Sequence, residues 1–93
     1  MAIQITHVRL AANGTGHDSI TRYKWRNEST GKTGDSDKPT MVTWVDTAGN
    51  SAYVSNGLSR VAVGVYRPQN GSPYLKTNAN GVWTDNLLAL PRF

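Results

Sequence analysis

Hydrophobic and polar residues alternate with a period of two along much of the chain, and this pattern is typical of β-strands. It is most regular in 58–66, where Val61, Val63 and Val65 fall on one face. The opposite face of that run holds Arg60, Ala62, Gly64 and Tyr66. Because successive side chains of a strand point to opposite sides, the pattern predicts strands with one buried face. Runs of this kind predict strands at 2–10, 20–27, 51–55, 58–66 and 73–77.

The first predicted strand changes its alternation near His7. Its aliphatic residues are Ile3, Ile5, Val8 and Leu10. If the alternation is regular throughout the strand, Ile3 and Ile5 fall on one face and Val8 and Leu10 fall on the other. An extra residue in the strand, a β-bulge, would return all four to one face. The alternative is a strand that is partly covered on both faces.

The second predicted strand has two chemically different faces. Its basic residues are Arg22, Lys24 and Arg26, and the positions between them hold Thr21, Tyr23 and Trp25. Alternation therefore predicts an aromatic face that fills the core and a basic face that meets solvent.

The segment 39–48 fits either a short helix or a strand. Asp37 and Pro39 are typical of an N-cap followed by a proline in the first turn, and Gly49 is typical of a helix end. However, the segment also contains β-branched residues and alternates between apolar positions. The capping signals favour the helix. The preceding polar segment, 28–38, predicts a loop.

The C-terminal segment predicts a hairpin strand followed by an apolar latch. Asn70-Gly71 is a turn pair that would fold strand 73–77 back antiparallel to strand 58–66. Asp85 or Asn86 can then cap a short helix or 3₁₀ turn. Three leucines follow at Leu87, Leu88 and Leu90. Burying each would contribute about 1.5–3 kcal/mol, so we expect this tail to stabilise the domain.

These elements together predict an α+β fold. We expect a small twisted antiparallel sheet of four to five strands with one short helix, formed by a single domain over residues 1–93. A chain of 93 residues is the size of one domain and buries a single small core.

Charge and cysteine content change this picture little. Ten basic residues against six acids give a net charge of +4, a modest bias toward anionic partners that also serves solubility. The chain has no cysteine, which excludes disulfides and thiolate metal sites and fits a reducing compartment. No run of about 18 apolar residues occurs, so we expect no membrane span.

Patterns that support catalysis or metal binding are missing from the sequence. Glu28 is the only glutamate, and no Gly-x-Ser-x-Gly elbow occurs. His7 and His17 have no partner at the spacing of metal ligands. We therefore predict a protein that is not an enzyme and uses no metal and no cofactor.

Two groups of residues are candidates for binding. The first is a basic face formed by Arg22, Lys24, Arg26 and Lys76, provided that strand 73–77 joins the same sheet. Such a face can contact phosphates, although stacking on bases would require aromatic rings on the same surface. The second is a polar cluster near the C-terminus, formed by Tyr74, Thr77 and Asn86. The alternative for the basic face is a solvated strand face without a ligand, and the alternative for the polar cluster is a purely structural latch.

The motif YLKT…DNLLALP, residues 74–77 and 85–91, resembles the signature of a bacterial and phage family called domain of unknown function 3892. That signature is a Tyr-Leu-Arg/Lys-Thr strand followed by Asp/Asn-Asn-Leu-Leu-x-Leu-Pro. Lys76 stands at its Arg/Lys position and Asn86 at its asparagine. The resemblance implies a small, single-domain, cytoplasmic protein, often encoded by a phage or mobile element. It implies no activity, but it favours an interaction module over an enzyme.

The leading hypothesis is a non-catalytic module that binds another macromolecule, such as a phage-encoded factor that modulates a host protein or a virion-associated protein. One alternative is a nucleic-acid-binding domain that uses the basic strand face. The other is an oligomeric binder of a small molecule such as a nucleotide. We expect a protein partner, with nucleic acid as the rival, and a homodimer or higher oligomer through open sheet edges. The expected location is the cytoplasm, that of the host cell if the chain is phage-encoded.

Overall fold

Seven strands and one α-helix make up the described part of the chain. The computed structural model describes residues 2–12, 14, 16, 19–55, 60–69, 71–79, 82–84 and 86–93. The elements are β1 Ala2–Leu10, β2 Ile20–Asn27, β3 Thr33–Asp37, α1 Lys38–Asp46, β4 Ser51–Ser55, β5 Arg60–Tyr66, β6 Tyr74–Ala79, β7 Val82–Thr84 and a 3₁₀ turn Asn86–Ala89. The five predicted strands are confirmed, and β3 and β7 are additional.

The strands form one mixed sheet in the order β3-β2-β1-β4-β5-β6-β7. All neighbours are antiparallel except β1 and β4, which run parallel. The α+β class is confirmed, but the predicted strand count and the purely antiparallel arrangement are wrong. The parallel pair arises because α1 lies between β3 and β4 in the chain. Such a crossover helix carries the chain back to the end of the sheet where β3 began, so β4 runs in the same direction as β3 and β1.

The strand β3 replaces the loop that the polar segment 28–38 predicted. It lies at the edge of the sheet and pairs with β2 from Arg22↔Asp37 to Arg26↔Thr33. An edge strand needs no apolar face of its own here, because the Trp25 ring lies against Gly34. A Cβ at Gly34 would come within 2.7 Å of that ring. The Trp25 indole N–H also donates to the Ser36 hydroxyl at 3.3 Å.

The irregularity near His7 is a β-bulge. The pairing of β1 with β2 shifts register between Ile5 and His7, and Val8 then pairs with Tyr23. The extra residue places Ile3, Ile5 and Val8 together on the buried side, where their exposed fractions are 4%, 0% and 0%. The alternative of a strand covered on both faces is therefore excluded.

One face of the sheet, which we call the inner face, is buried against α1 and the C-terminal tail. The opposite face is called the outer face below. Tyr23, Leu75 and Met41 of α1 are all buried in this layer. The complete buried apolar set is Ile3, Ile5, Val8, Ile20, Tyr23, Met41, Ala52, Val54, Val63, Leu75 and Leu87.

The segment 39–48 is helical, as its capping signals predicted. The Asp37 carboxylate accepts a hydrogen bond from the Thr40 backbone N–H at 3.1 Å, and Pro39 lies in the first turn. The helix ends at Asp46, and Gly49 follows with a φ of 89°. The β-branched residues do not prevent the helix, because Val42 and its apolar neighbours pack against the core.

The C-terminal tail closes the inner face and then pairs with β1. Leu87 is fully buried, and Leu88 and Leu90 are partly buried against the core, which confirms the latch. The Val8 N–H donates to the Pro91 carbonyl at 3.0 Å, and the Phe93 N–H donates to the Val8 carbonyl at 3.3 Å. The tail thus satisfies the side of β1 that β4 leaves open, since β4 pairs only with Ala2–Gln4.

The predicted hairpin is also confirmed, because β5 and β6 pair antiparallel from Ala62↔Asn78 to Tyr66↔Tyr74. Asn70 of its turn and the predicted cap Asp85 lie outside the described residues. Within the described part of the chain, no helix has the length and apolar character that a membrane crossing requires.

Truncating Leu87 should remove much of the protein's stability. Leu87→Ala leaves a cavity in the inner layer, and such substitutions cost about 2–5 kcal/mol. Urea unfolding followed by circular dichroism measures the free energy of unfolding. Leu88→Ala, at a half-buried position, is the matched control and should cost less. Equal losses for the two variants would contradict the latch.

The Asp37 cap should make stability depend on pH. Hydrogen bonds from the Thr40 hydroxyl and backbone N–H lower the pKa of Asp37 below its ordinary value. A carboxyl whose pKa is lower in the folded state than in the unfolded state stabilises the folded protein. This contribution is fully present above the unfolded pKa of about 3.9 and is lost as pH falls through the folded pKa.

We therefore expect Asp37→Ala to lower the urea midpoint at neutral pH, and the gap to wild type to narrow at about pH 2.5. Asp37→Asn keeps an oxygen acceptor at the N-cap and should retain most of the neutral-pH stability. A gap between wild type and Asp37→Ala that is the same at both pH values would count against this role.

Candidate functional site

The outer face collects most of the basic residues of the chain. Cross-strand partners in a sheet lie on the same face, so the register assigns each side chain. Lys24 pairs with His7, Arg26 pairs with Gln4, and Gln4 pairs with Tyr53 on β4. The basic residues placed on the outer face are Arg9, Arg22, Lys24, Arg26, Arg60 and Lys76.

The four predicted basic residues therefore share one surface. Arg22, Lys24 and Arg26 lie on β2 opposite the buried Tyr23. Lys76 lies on β6, which joins the same sheet, and it pairs with Gly64 on the same face. Since β2 and β6 are four strand spacings apart, Lys76 lies on a strand about 19 Å across the sheet from β2. The basic face is thus a band across the sheet, wider than one strand.

Acidic residues neutralise only part of this band. Arg22 pairs with Asp35 at 3.0 Å and Arg60 pairs with Glu28 at 2.8 Å. The hydrogen bond from Arg60 to Glu28 raises the pKa of Arg60 above its ordinary value, so this guanidinium stays charged. Among the described residues, no acid forms a salt bridge with the remaining lysines and arginine on β2 and β6, which are Lys24, Arg26 and Lys76.

Aromatic rings lie on the same face, next to the cations. The Arg9 guanidinium carbon is 4.6 Å from the Phe93 ring centroid, and Lys24 Nζ is 5.9 Å from it. The Arg60 guanidinium lies 4.4 Å from the Tyr53 ring centroid. These distances are those of cation–π contacts.

A second group of rings lies on β5 and β6. Lys76 Nζ is 5.3 Å from the Tyr66 ring centroid, and the Tyr66 and Tyr74 centroids are 5.3 Å apart with a 39° tilt. The outer face therefore combines positive charge with four half-buried aromatic rings, which are Tyr53, Tyr66, Tyr74 and Phe93.

Sequence reasoning missed Tyr53, Tyr66 and Phe93 and named Tyr74 only as part of the polar cluster, although part of the signal was present. Alternation places Tyr53 opposite Ala52 and Val54, and it places Tyr66 on the face of Arg60. The sequence pattern did not show that β4 pairs with β1 and that β5 pairs with β4. This pairing places Tyr53 and Tyr66 on the same surface as the basic face of β2. No local pattern indicated Phe93, because its position depends on where the tail meets β1.

The predicted polar cluster does not form one surface. Tyr74 lies on the outer face, whereas Thr77 pairs with Val63 on the inner face and is 0% exposed. The two residues are separated by an odd number of positions on one strand, so they point to opposite sides. The Asn86 side chain lies outside what the structure describes.

A small apolar cavity lies on the other side of the sheet, between α1 and strands β2 and β3. It measures about 100 Å³ and is lined by Ile3, Trp25, Asn27, Ser36, Thr40, Met41 and Trp44. Ligand pockets are typically about 300–1,000 Å³, so this cavity is small for a metabolite. The described residues contain no group of three His, Asp or Glu side chains placed to hold a metal ion.

Tyr23 is a buried polar residue in the same layer. Its ring is 0% exposed, and its hydroxyl makes no hydrogen bond of good geometry with any group that the structure describes. Burial raises the pKa of Tyr23 far above its ordinary value, and the nearby Leu75 backbone lowers it by a smaller amount. The phenol therefore stays neutral and acts as a core residue.

Comparison with known proteins identifies the family. The model of a family described as a protein of unknown function, DUF3892, matches residues 4–91. No curated protein and no solved structure matches the chain. Because the family match extends from β1 to the paired C-terminal tail, the chain belongs to the DUF3892 family, as its tail motif indicated.

Proposed function

We propose that this protein is a non-catalytic binding module whose outer sheet face binds nucleic acid. The observation that supports this most is the placement of charge. Six of the ten basic residues lie on the outer face, and the acids that β3 adds to this face are Asp35 and Asp37. Basic residues clustered on one face are the electrostatic footprint of a nucleic-acid-binding protein.

Several features favour nucleic acid over a protein as the ligand. Lysine is depleted in protein–protein interfaces, whereas the outer face has Lys24 and Lys76 within it. These side chains are free of salt bridges to the described acids, so their donors can contact phosphate oxygens. The inner face holds the apolar residues and is already covered by α1 and the tail.

The setting that we propose is cytoplasmic. The chain has no cysteine, which suits a reducing compartment, and its tail motif resembles the signature of a bacterial and phage family. If a phage encodes the protein, its ligand would be nucleic acid in the host cell, and the protein would bind this ligand without catalysing a reaction.

The predicted homodimer remains a prediction, and the sheet edges bear on it. The edge strand β3 has Asp35 and Asp37, and charged residues on an edge oppose its pairing with another copy. Light scattering at high protein concentration measures the mass of the particle. Detection of monomer alone would exclude the dimer.

Removing the unpaired cations should weaken binding and reduce its dependence on salt. The variant contains Lys24→Gln, Arg26→Gln and Lys76→Gln together, and the probes are fluorescent 12-nucleotide DNA and RNA strands and their duplexes. Each phosphate contact contributes about −0.7 to the log–log slope of affinity against salt for single strands and about −0.9 for duplex. Loss of three contacts should therefore make the slope less steep by about 2 for single strands and by about 2.7 for duplex.

A matched control separates this effect from a change in net charge. Lys32→Gln, Lys38→Gln and Arg67→Gln together remove the same charge at positions away from the outer face, and they should leave affinity nearly unchanged. Fluorescence anisotropy between about 50 and 200 mM salt measures both variants. If wild type binds neither strand nor duplex at about 50 mM salt, or if the two variants lose affinity equally, the proposed function is wrong.

A further inference from the structure

The aromatic rings of the outer face follow a diagonal line. Phe93 lies over the β1–β2 pair near Arg9. Tyr53 lies one strand further on, at the level of Gln4, and Tyr66 lies beyond it on β5. Because Tyr66 is four residues beyond the partner of Tyr53, a rise of about 3.4 Å per residue separates the two rings by about 14 Å.

The same register separates Phe93 and Tyr53 by a comparable distance. Their levels on β1 differ by three to five residues, or about 10–17 Å along the strand. Cations accompany each step of the diagonal. Arg9 and Lys24 lie at its first ring, Arg26 and Arg60 lie near its second, and Lys76 lies at its third.

This arrangement selects between two forms of nucleic acid. A duplex presents phosphates and the edges of its bases, while the flat faces of the bases stay stacked inside it. A single strand presents base faces, which stack on aromatic rings and on arginine guanidinium planes. Rings on a sheet surface, each next to a cation, therefore match a strand whose bases are unpaired.

We infer that the ligand is single-stranded nucleic acid, with its bases stacked on Phe93, on Tyr53 beneath Arg60, and on the Tyr66–Tyr74 pair. This inference rests on the proposed function and specifies its ligand. The strand runs along the diagonal, and Lys24, Arg26 and Lys76 contact its phosphates. The rings are half-buried, so the sheet holds them in place before the strand arrives.

Charge alone would predict the opposite preference. A duplex has more phosphate charge per unit length than a single strand, so a face that acts only through cations would bind duplex at least as tightly. We expect the wild-type protein to bind a 12-nucleotide single strand at least about 10-fold more tightly than the 12-base-pair duplex, because stacking is available only to the former. Anisotropy titrations at one salt concentration measure this ratio.

Removing the rings tests the stacking directly. Phe93→Leu, and separately Tyr66→Leu with Tyr74→Leu, should weaken single-strand binding about 5- to 150-fold for each base that loses its ring. Duplex affinity should stay nearly unchanged. Tyr66→Phe with Tyr74→Phe is the matched control, since it keeps both rings and should keep single-strand affinity.

A probe without bases gives a test that needs no variant, in case the leucine substitutions unfold the protein. An abasic 12-mer has the same phosphates as the normal strand, and we expect it to bind at least about 10-fold more weakly. Circular dichroism confirms that each variant is folded.

The outcomes separate the inference from the proposed function. If the cation variant weakens binding but the ring variants, the abasic strand and the duplex all bind like the normal single strand, stacking is excluded while nucleic-acid binding stands. If no nucleic acid binds, both fail. Equal binding to vesicles of anionic lipid would show a general anion surface and would also overturn the inference.

Discussion

The pairing of the C-terminal tail with Val8 is the interaction on which the rest of this structure depends. On one side of β1, β4 reaches only as far as Gln4, and the Val8 N–H and carbonyl bond to Pro91 and Phe93 instead. Val8 is fully buried, and a buried backbone group without a partner costs about 1–3 kcal/mol. The tail therefore provides hydrogen-bond partners for Val8, in a part of the interior strand β1 that β4 does not reach.

The same pairing also decides where the side chains of the tail lie. Leu87 must reach the inner layer before the chain arrives at β1, and alternation beyond it places Phe93 over Arg9 on the outer face. One short segment thus closes the core on one side of the sheet and contributes an aromatic ring to the binding surface on the other. Stability and the candidate site are linked through this segment.

The bulge in β1 keeps the apolar residues on the inner face of the sheet and the basic residues on the outer face. Without the extra residue, Val8 would turn outward and Arg9 inward, because a slip of one residue exchanges the faces of a strand. With it, the core receives Ile3, Ile5 and Val8, and the outer face receives His7 and Arg9. The basic surface is continuous because this correction keeps β1 in phase with β2 and β4.

Much of the architecture was predictable from local patterns, and the failures have definite causes. Strands with one apolar face were found, but β3 was not, because its half-buried positions are Gly34 and Ser36 beneath Trp25. A strand covered by a neighbour's side chain needs no hydrophobic alternation of its own. The cations of β2, in contrast, were correctly predicted to share one face, because they alternate regularly with Tyr23 and Trp25.

By itself, the sequence determined which residues share a face within the regular strands β2 and β5, that a helix begins after Asp37, and that the tail's leucines become buried. These properties depend on the periodicity of the backbone and on short-range hydrogen bonds, which are set by neighbours in the chain. Only the tertiary structure decided that β4 lies parallel to β1 and that Lys76, Tyr53, Tyr66 and Phe93 join the β2 cations on one surface. Strand order and register are chosen by the packing of the whole sheet, and no local stretch of the sequence contains that information.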